Sequence, residues 1–256
     1  SNDTFYGFVG ADTLNGGGGS DTLVLNGTSS TLNVATDLQL QNIGTITAST
    51  ATSGVVTTLA NQTEAFSITG SSFSDSLTGG SNADAFYGFV GADTIVGGAG
   101  ADTLYLSATS SDLNIASDAQ LVSVENINAS GSAPITITLA NQTENLSITG
   151  SSYADSLTGG SGSDVFNGFV GADTIDGGAG VDYISLGSNL VASNDAQLVR
   201  VETIYANSSN VNLSGQTEGF SIYADVSANS LTGGAGDDSF YDFTGADTVD
   251  GGAGSD

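Results

Sequence analysis

The sequence predicts an all-β solenoid, in which short parallel strands are joined by glycine-rich turns, and three observations carry that prediction. Asp75, Asp84, Asp93 and Asp102 stand nine residues apart, and Leu77, Phe86, Ile95 and Leu104 each follow one of them by two positions. The whole pattern then recurs, since residues 81–160 rerun residues 1–80: SNADAFYGFVGADTIVGGAGADTL answers SNDTFYGFVGADTLNGGGGSDTL. The composition agrees, with 37 Gly, a single Pro and 38% hydrophobic residues. So much Gly, Ser, Thr and Asn disfavours helix, and the apolar content suffices for a thin, continuous core.

The nine-residue unit is G-G-x-G-x-D-x-U-x, where U is a large apolar residue. Two units make one coil. A short x-U-x strand points its apolar residue inward, a six-residue loop turns the chain, and the next strand returns on the opposite face. Glycine suits the turn because positive φ costs it nothing. Successive Asp carboxylates then stack coil upon coil, and like charges directly opposite one another repel. A hard dication such as calcium, taking about 6–8 oxygens from carboxylates and backbone carbonyls, removes that repulsion and ties the loops together. Folding and metal binding are therefore expected to be one event.

Because loops alternate sides, each stacks on the loop eighteen residues away. The loops ending at Asp84 (GGSNAD) and Asp102 (GGAGAD) share one edge and lie near the consensus; those ending at Asp75 (GSSFSD) and Asp93 (GFVGAD) share the other and depart from it. The split recurs at Asp164 and Asp182 against Asp155 and Asp173. One calcium edge per repeat is expected, opposite a weaker or empty one. On that weaker edge Phe8, Phe89 and Phe169 replace the second glycine, which reads either as packing against a neighbouring coil or module or as a degraded loop.

Taken in order, residues 1–80 form a first solenoid repeat, entered in mid-loop, with Asp3, Asp12 and Asp21 in register and Phe5, Leu14 and Leu23 facing inward. Residues 26–69 lose the Asp register and become Ser/Thr/Asn-rich with alternating apolar residues, the mark of strands on a half-buried surface. Residues 81–160 form a second repeat, 161–234 a third and shorter one, and 235–256 a partial fourth, all in one continuous solenoid. The inserts read as wider coils, with Val124, Ile137, Ile148, Leu157 and Phe166 as inward residues. Both ends fall within a repeat and are expected to continue into further chain or to meet other copies.

Asp and Glu number 28 against one basic residue, giving a net charge of -27. Nothing here could neutralise phosphates, so nucleic acid is excluded as a partner, and anionic membrane surfaces are disfavoured. No run of about 20 apolar residues exists to span a bilayer. The chain has no Cys and no His, and no Lys follows the glycine loops. Ser/His/Asp triads, cysteine nucleophiles, Schiff bases and P-loops are thereby ruled out. Only paired carboxylates remain for catalysis, namely Glu64, Glu125, Glu144, Glu202 and Glu218. They recur at equivalent repeat positions, which argues for structure, so the chain is not expected to be an enzyme. There is no starting Met or signal peptide, which suggests a mature chain or a segment of a longer one.

The nonapeptides resemble the RTX calcium-binding repeats of Gram-negative secreted proteins. The inserts (SDAQLVSVENINASG, LANQTENLSITGSS) look like the β-strand repeats found beside RTX units in large bacterial surface proteins, including S-layer proteins. The resemblance implies a right-handed parallel β-roll or β-helix, several calcium ions and type I secretion, with folding delayed until extracellular calcium is met. Carried over by position, it implies metal ligands at Asp3, Asp21, Asp84, Asp102, Asp164, Asp182, Asp238 and Asp256. Loop carbonyls would come from near Gly79, Gly80, Gly97, Gly98, Gly100, Gly159, Gly160, Gly177, Gly178, Gly180, Gly233, Gly234, Gly251 and Gly252. Asp12, Asp75, Asp93, Asp155, Asp173 and Asp247 fall on the weaker edge. Three features depart from the family pattern: Asn82 replaces a glycine, Asn229 replaces an Asp, and GFVGAD and DFTGAD lack the double glycine. The expected role is a structural, calcium-dependent segment of a bacterial surface layer, filament or matrix fibre. Its partners would be calcium, copies of itself and cell-surface polysaccharide. The alternative is the stalk of an RTX adhesin, or the carrier domain of a type I-secreted enzyme or toxin.

Overall fold

A computed structural model describes residues 1–129, 131–170 and 172–256. Gly171, within the loop ending at Asp173, lies outside the described residues. The chain forms two compact units, one of residues 1–106 and 110–127, the other of residues 107–109 and 128–256. Each is a parallel β-solenoid.

In the first unit the strands alternate between two faces. Thr4–Tyr6, Thr22–Val24, Thr45–Thr47, Ser67–Thr69, Ala85–Tyr87 and Thr103–Leu106 stack in parallel on one face. Val56–Thr58, Ser76–Thr78, Thr94–Val96 and Leu121–Val122 stack on the other, where Leu14–Asn15 also pairs with Leu40–Gln41. The register sets inward residue upon inward residue: Leu23 on Ile46, Ile46 on Ile68, Ile68 on Phe86, Phe86 on Leu104. These centres are fully buried, and each such side chain contributes roughly 1.5–3 kcal/mol of hydrophobic stabilisation. The flanking Ser and Thr residues face out, as period-two alternation requires.

The second unit repeats the plan. Ser147–Thr149, Val165–Asn167, Tyr183–Ser185, Thr203–Tyr205, Ser221–Tyr223 and Ser239–Tyr241 form one face. Opposite lie Thr136–Thr138, Ser156–Thr158, Thr174–Asp176 and Leu198–Val199, and then Leu190–Val191, Val211–Asn212, Ser230–Thr232 and Thr248–Asp250. Outward tyrosines on the first face stack in a ladder, with Tyr205 and Tyr223 5.1 Å apart and Tyr223 and Tyr241 4.8 Å apart.

The inserts are wider coils, and short 3-10 turns widen them. Thr36, Ser117 and Asn194 each open such a turn with a capping box closed by Gln39, Gln120 and Gln197, the S/T-x-x-Q arrangement in the first two and its Asn counterpart in the third. Gln39 and Gln120 also donate to the Asp12 and Asp93 carbonyls one coil away. Asn33, in the turn Leu32–Val34, bonds Thr58 N–H and Val56 C=O through its side-chain amide. An amide can thus replace a strand's peptide group and continue the ladder. Val124 is buried, as expected of an inward residue, and the strand Asn126–Ala129 that follows it buries Ile127 as well. Among the described residues no helix is long and apolar enough to cross a membrane.

Candidate metal centre

Every Asp pair that the eighteen-residue parity joins is brought together. The backbone N–H of Asp84 donates to Asp102 Oδ1 at 2.7 Å, that of Asp164 to Asp182 Oδ1 at 2.7 Å, that of Asp238 to Asp256 Oδ1 at 2.9 Å, and that of Asp3 to Asp21 Oδ1 at 2.7 Å. One coil's carboxylate therefore holds the previous coil's turn. On the opposite edge Asp75 N–H bonds Asp93 Oδ1, Asp155 N–H bonds Asp173 Oδ1, and Asn229 N–H bonds Asp247 Oδ1, all at 2.8 Å.

The second carboxylate oxygen separates two kinds of loop. Oδ2 of Asp84, Asp164 and Asp238 accepts the N–H of Gly80, Gly160 and Gly234 at 2.6–2.7 Å. Oδ2 of Asp21, Asp102 and Asp182 is buried and has no hydrogen-bond partner. In the latter loops the glycines at the second and fourth loop positions take positive φ (Gly17 and Gly19, Gly98 and Gly100, Gly178 and Gly180). Any side chain at Gly98 or Gly178 would also strike the carbonyl oxygen of Gly80 or Gly160 in the loop stacked beneath. Glycine is required there on both counts.

A buried carboxylate oxygen without a partner is costly. Burial pushes Asp102 and Asp182 up to about 6; the neighbouring charges of Asp84 and Glu125 add to the first, those of Asp164 and Glu202 to the second. Burial also raises Asp84 and Asp164. The donor set, carboxylate oxygens beside glycine carbonyls at close range, is the all-oxygen environment a hard dication prefers. Among the described residues no three acidic side chains converge on one point, so an ion between coils would take carbonyls to complete its shell.

The weaker edge is organised differently. Phe8, Phe89 and Phe169 are 1–2% exposed. Of the two readings of these residues, their burial favours packing over a degraded loop. Asp75 accepts from the N–H of Val55 and Ser71 and from the Ser71 hydroxyl, and Asp155 makes the same three bonds with Ile135 and Ser151. Asp93 and Asp173 take the Val90 and Val170 N–H on Oδ2 at 2.7 Å, as Asp12 takes that of Val9. Main-chain donors already satisfy these carboxylates; Asp247 alone keeps a buried Oδ2 without a partner.

Two functional groups escape a reading by nine-residue register. Asp102 N–H donates to Glu125 Oε2 and Asp182 N–H to Glu202 Oε2, each at 2.8 Å. These glutamates serve as the next rung of the carboxylate column, although 23 and 20 residues separate them from their partners. Arg200, the lone basic residue, is engaged elsewhere, in a bidentate pair with Asp176.

Stacked parallel coils with carboxylate-lined glycine turns define a β-roll of the calcium-binding type. Residues 1–23, 68–105, 149–184 and 223–256 match the family of the RTX calcium-binding nonapeptide repeat, in four copies. Together these cover slightly more than half of the chain, and the chain belongs to that family, whose nonapeptide repeats bind calcium ions. Neither the curated proteins nor the solved structures give a match.

Proposed function

We propose that this chain is a calcium-dependent structural segment of a secreted bacterial surface layer, filament or matrix fibre. Asp84 with Asp102, Asp164 with Asp182, Asp238 with Asp256 and Asp3 with Asp21 would supply the carboxylates, and the intervening glycine loops the carbonyls. Bound calcium would neutralise the stacked carboxylates and cross-link successive coils; the residues themselves already hold the turns in register. The observation that carries this reading is the recurrence of a buried, unpartnered Asp oxygen at the same loop position in three repeats, Asp21, Asp102 and Asp182. The wider coils add length, and Glu125 and Glu202 within them extend the same column. That RTX repeat β-rolls are typically structural and secreted supports the extracellular placement.

A calcium titration of a chelated sample, followed by far-UV circular dichroism beside light scattering, tests it. The β-signal is expected to rise with a midpoint of roughly 10⁻⁴–10⁻³ M, as for extracellular calcium modules. Scattering that climbs in step assigns a self-assembling layer or fibre, and flat scattering assigns a monomeric stalk. A spectrum already β-rich in chelator and unmoved by calcium sinks the proposal.

A further inference from the structure

The carboxylate column continues one rung past the nonapeptides, into the wide coils. Asp102 N–H meets Glu125 as Asp84 N–H meets Asp102, and Asp182 N–H meets Glu202 as Asp164 N–H meets Asp182. Two residues before each glutamate, Ser123 and Arg200 adopt left-handed backbone with φ of 50° and 52°, a conformation non-glycine residues rarely take. That conformation accompanies a carbonyl placed over Gly97 and Gly177, where a methyl group would strike both the carbonyl oxygen and Oδ2 of Asp102 or Asp182. One coil earlier the carbonyls of Gly97 and Gly177 stand in the same way over Gly79 and Gly159, facing Asp84 and Asp164 Oδ2. The Ser-Val-Glu and Arg-Val-Glu turns thus reproduce the carbonyl and the carboxylate of a glycine loop.

We propose that a calcium ion binds at each of these junctions, held by Asp102 Oδ2, the Ser123 carbonyl and the Glu125 carboxylate, and equivalently by Asp182, the Arg200 carbonyl and Glu202. The inference rests on calcium binding by the nonapeptide loops and adds sites outside them. What points to a ligand is that Asp102 and Asp182 are 0% exposed while their Oδ2 atoms have no partner. Arg200 does not fill that role, because its guanidinium pairs with Asp176.

The first repeat is a natural variant of this junction. Asp21 Oδ2 is again unpartnered, and Asn42 (φ 55°) again places its carbonyl over Gly16. Gly44 stands where the glutamate would be, so that junction lacks its second carboxylate. Glu64, one coil further on, lines the hollow above Gly44 and has its own unpartnered Oε2. A glutamate at position 44 would meet no atom within 4 Å of its Cβ.

Native mass spectrometry of the full chain at saturating calcium decides the matter by counting ions. E125Q/E202Q keeps an oxygen for the Asp102 and Asp182 N–H but removes the charge. It is expected to hold two fewer ions than the parent, and G44E one more. Equal counts in the parent and E125Q/E202Q would reduce the glutamates to backbone caps and overturn the inference. If E125Q/E202Q does not fold, G44E decides alone: an added ion supports the junction site and an unchanged count refutes it. A parent chain that binds no calcium fails the nonapeptide reading itself, an outcome distinct from equal non-zero counts.

Discussion

In the absence of calcium, lowering the pH from about 7.5 to about 5 is expected to fold the chain. Asp102, Asp182 and Asp93 titrate near 6 in the folded state because burial disfavours their charged form, against an ordinary value of 3.8. Between those two values the folded chain holds protons that the unfolded chain has released. Stability is therefore fully present below about pH 4, falls as pH rises, and is lost through about pH 6. A bound dication reverses the sign, since it favours the ionised carboxylates and competes with protons. Circular dichroism in chelator should show β-structure growing as acid is added, whereas in dilute calcium the same acid should weaken binding. Acid also reduces the overall charge of -27, which favours compaction by itself. D102N/D182N separates the two causes. It removes only two of those charges yet should make the metal-free chain more β-rich at neutral pH and flatten its pH response. A metal-free signal that stays level or falls on acidification, or a double variant that titrates like the parent, would contradict the assignment.

Much of this centre was legible because it is periodic. The nine-residue register marks Asp84, Asp102, Asp164 and Asp182, and loop parity pairs them as the coil-to-coil hydrogen bonds do. Glu125 and Glu202 were visible as recurring acids but not as rungs. The wide coils break the eighteen-residue step, and a carboxylate one methylene longer reaches the same N–H from a different position. The left-handed conformations of Asn42, Ser123 and Arg200 left no trace, since these positions carry none of the glycine that usually announces positive φ. The two kinds of double-glycine loop also look alike in sequence. Gly80 keeps an ordinary φ and gives its N–H to Asp84, while Gly98 takes a φ of 110° and Asp102 Oδ2 has no partner. What differs is the coil stacked above or below, a tertiary property that no local pattern encodes. Phe89 remained open for the same reason, because only the coil's cross-section decides whether a bulky residue in a turn can reach the core.

Replacing that phenylalanine is expected to cost stability without costing calcium. Phe89 is 2% exposed, and its carbonyl accepts the Ser110 hydroxyl at 2.6 Å. Beside it, Gly91 N–H bonds Asp112 and Val90 N–H bonds Asp93 Oδ2, each at 2.7 Å. An apolar plug and main-chain donors thus do on this edge what metal and carboxylates would do on the other. Deleting a buried Phe side chain typically costs about 3–5 kcal/mol, because the cavity only partly collapses. F89A should therefore lower the melting temperature of the calcium-loaded chain markedly while the ion count from native mass spectrometry stays at the parent value. F89G is the more demanding variant, since it restores the double glycine of the nonapeptide consensus. If consensus sequence alone made a site, F89G would gain an ion. The geometry predicts that it gains none, because Asp93 already has both oxygens engaged by Val90 and Asp75 N–H and the cavity remains. A gained ion in F89G, or a lost one in F89A, would show that the two edges share one chemistry and that the phenylalanine merely occludes a metal site.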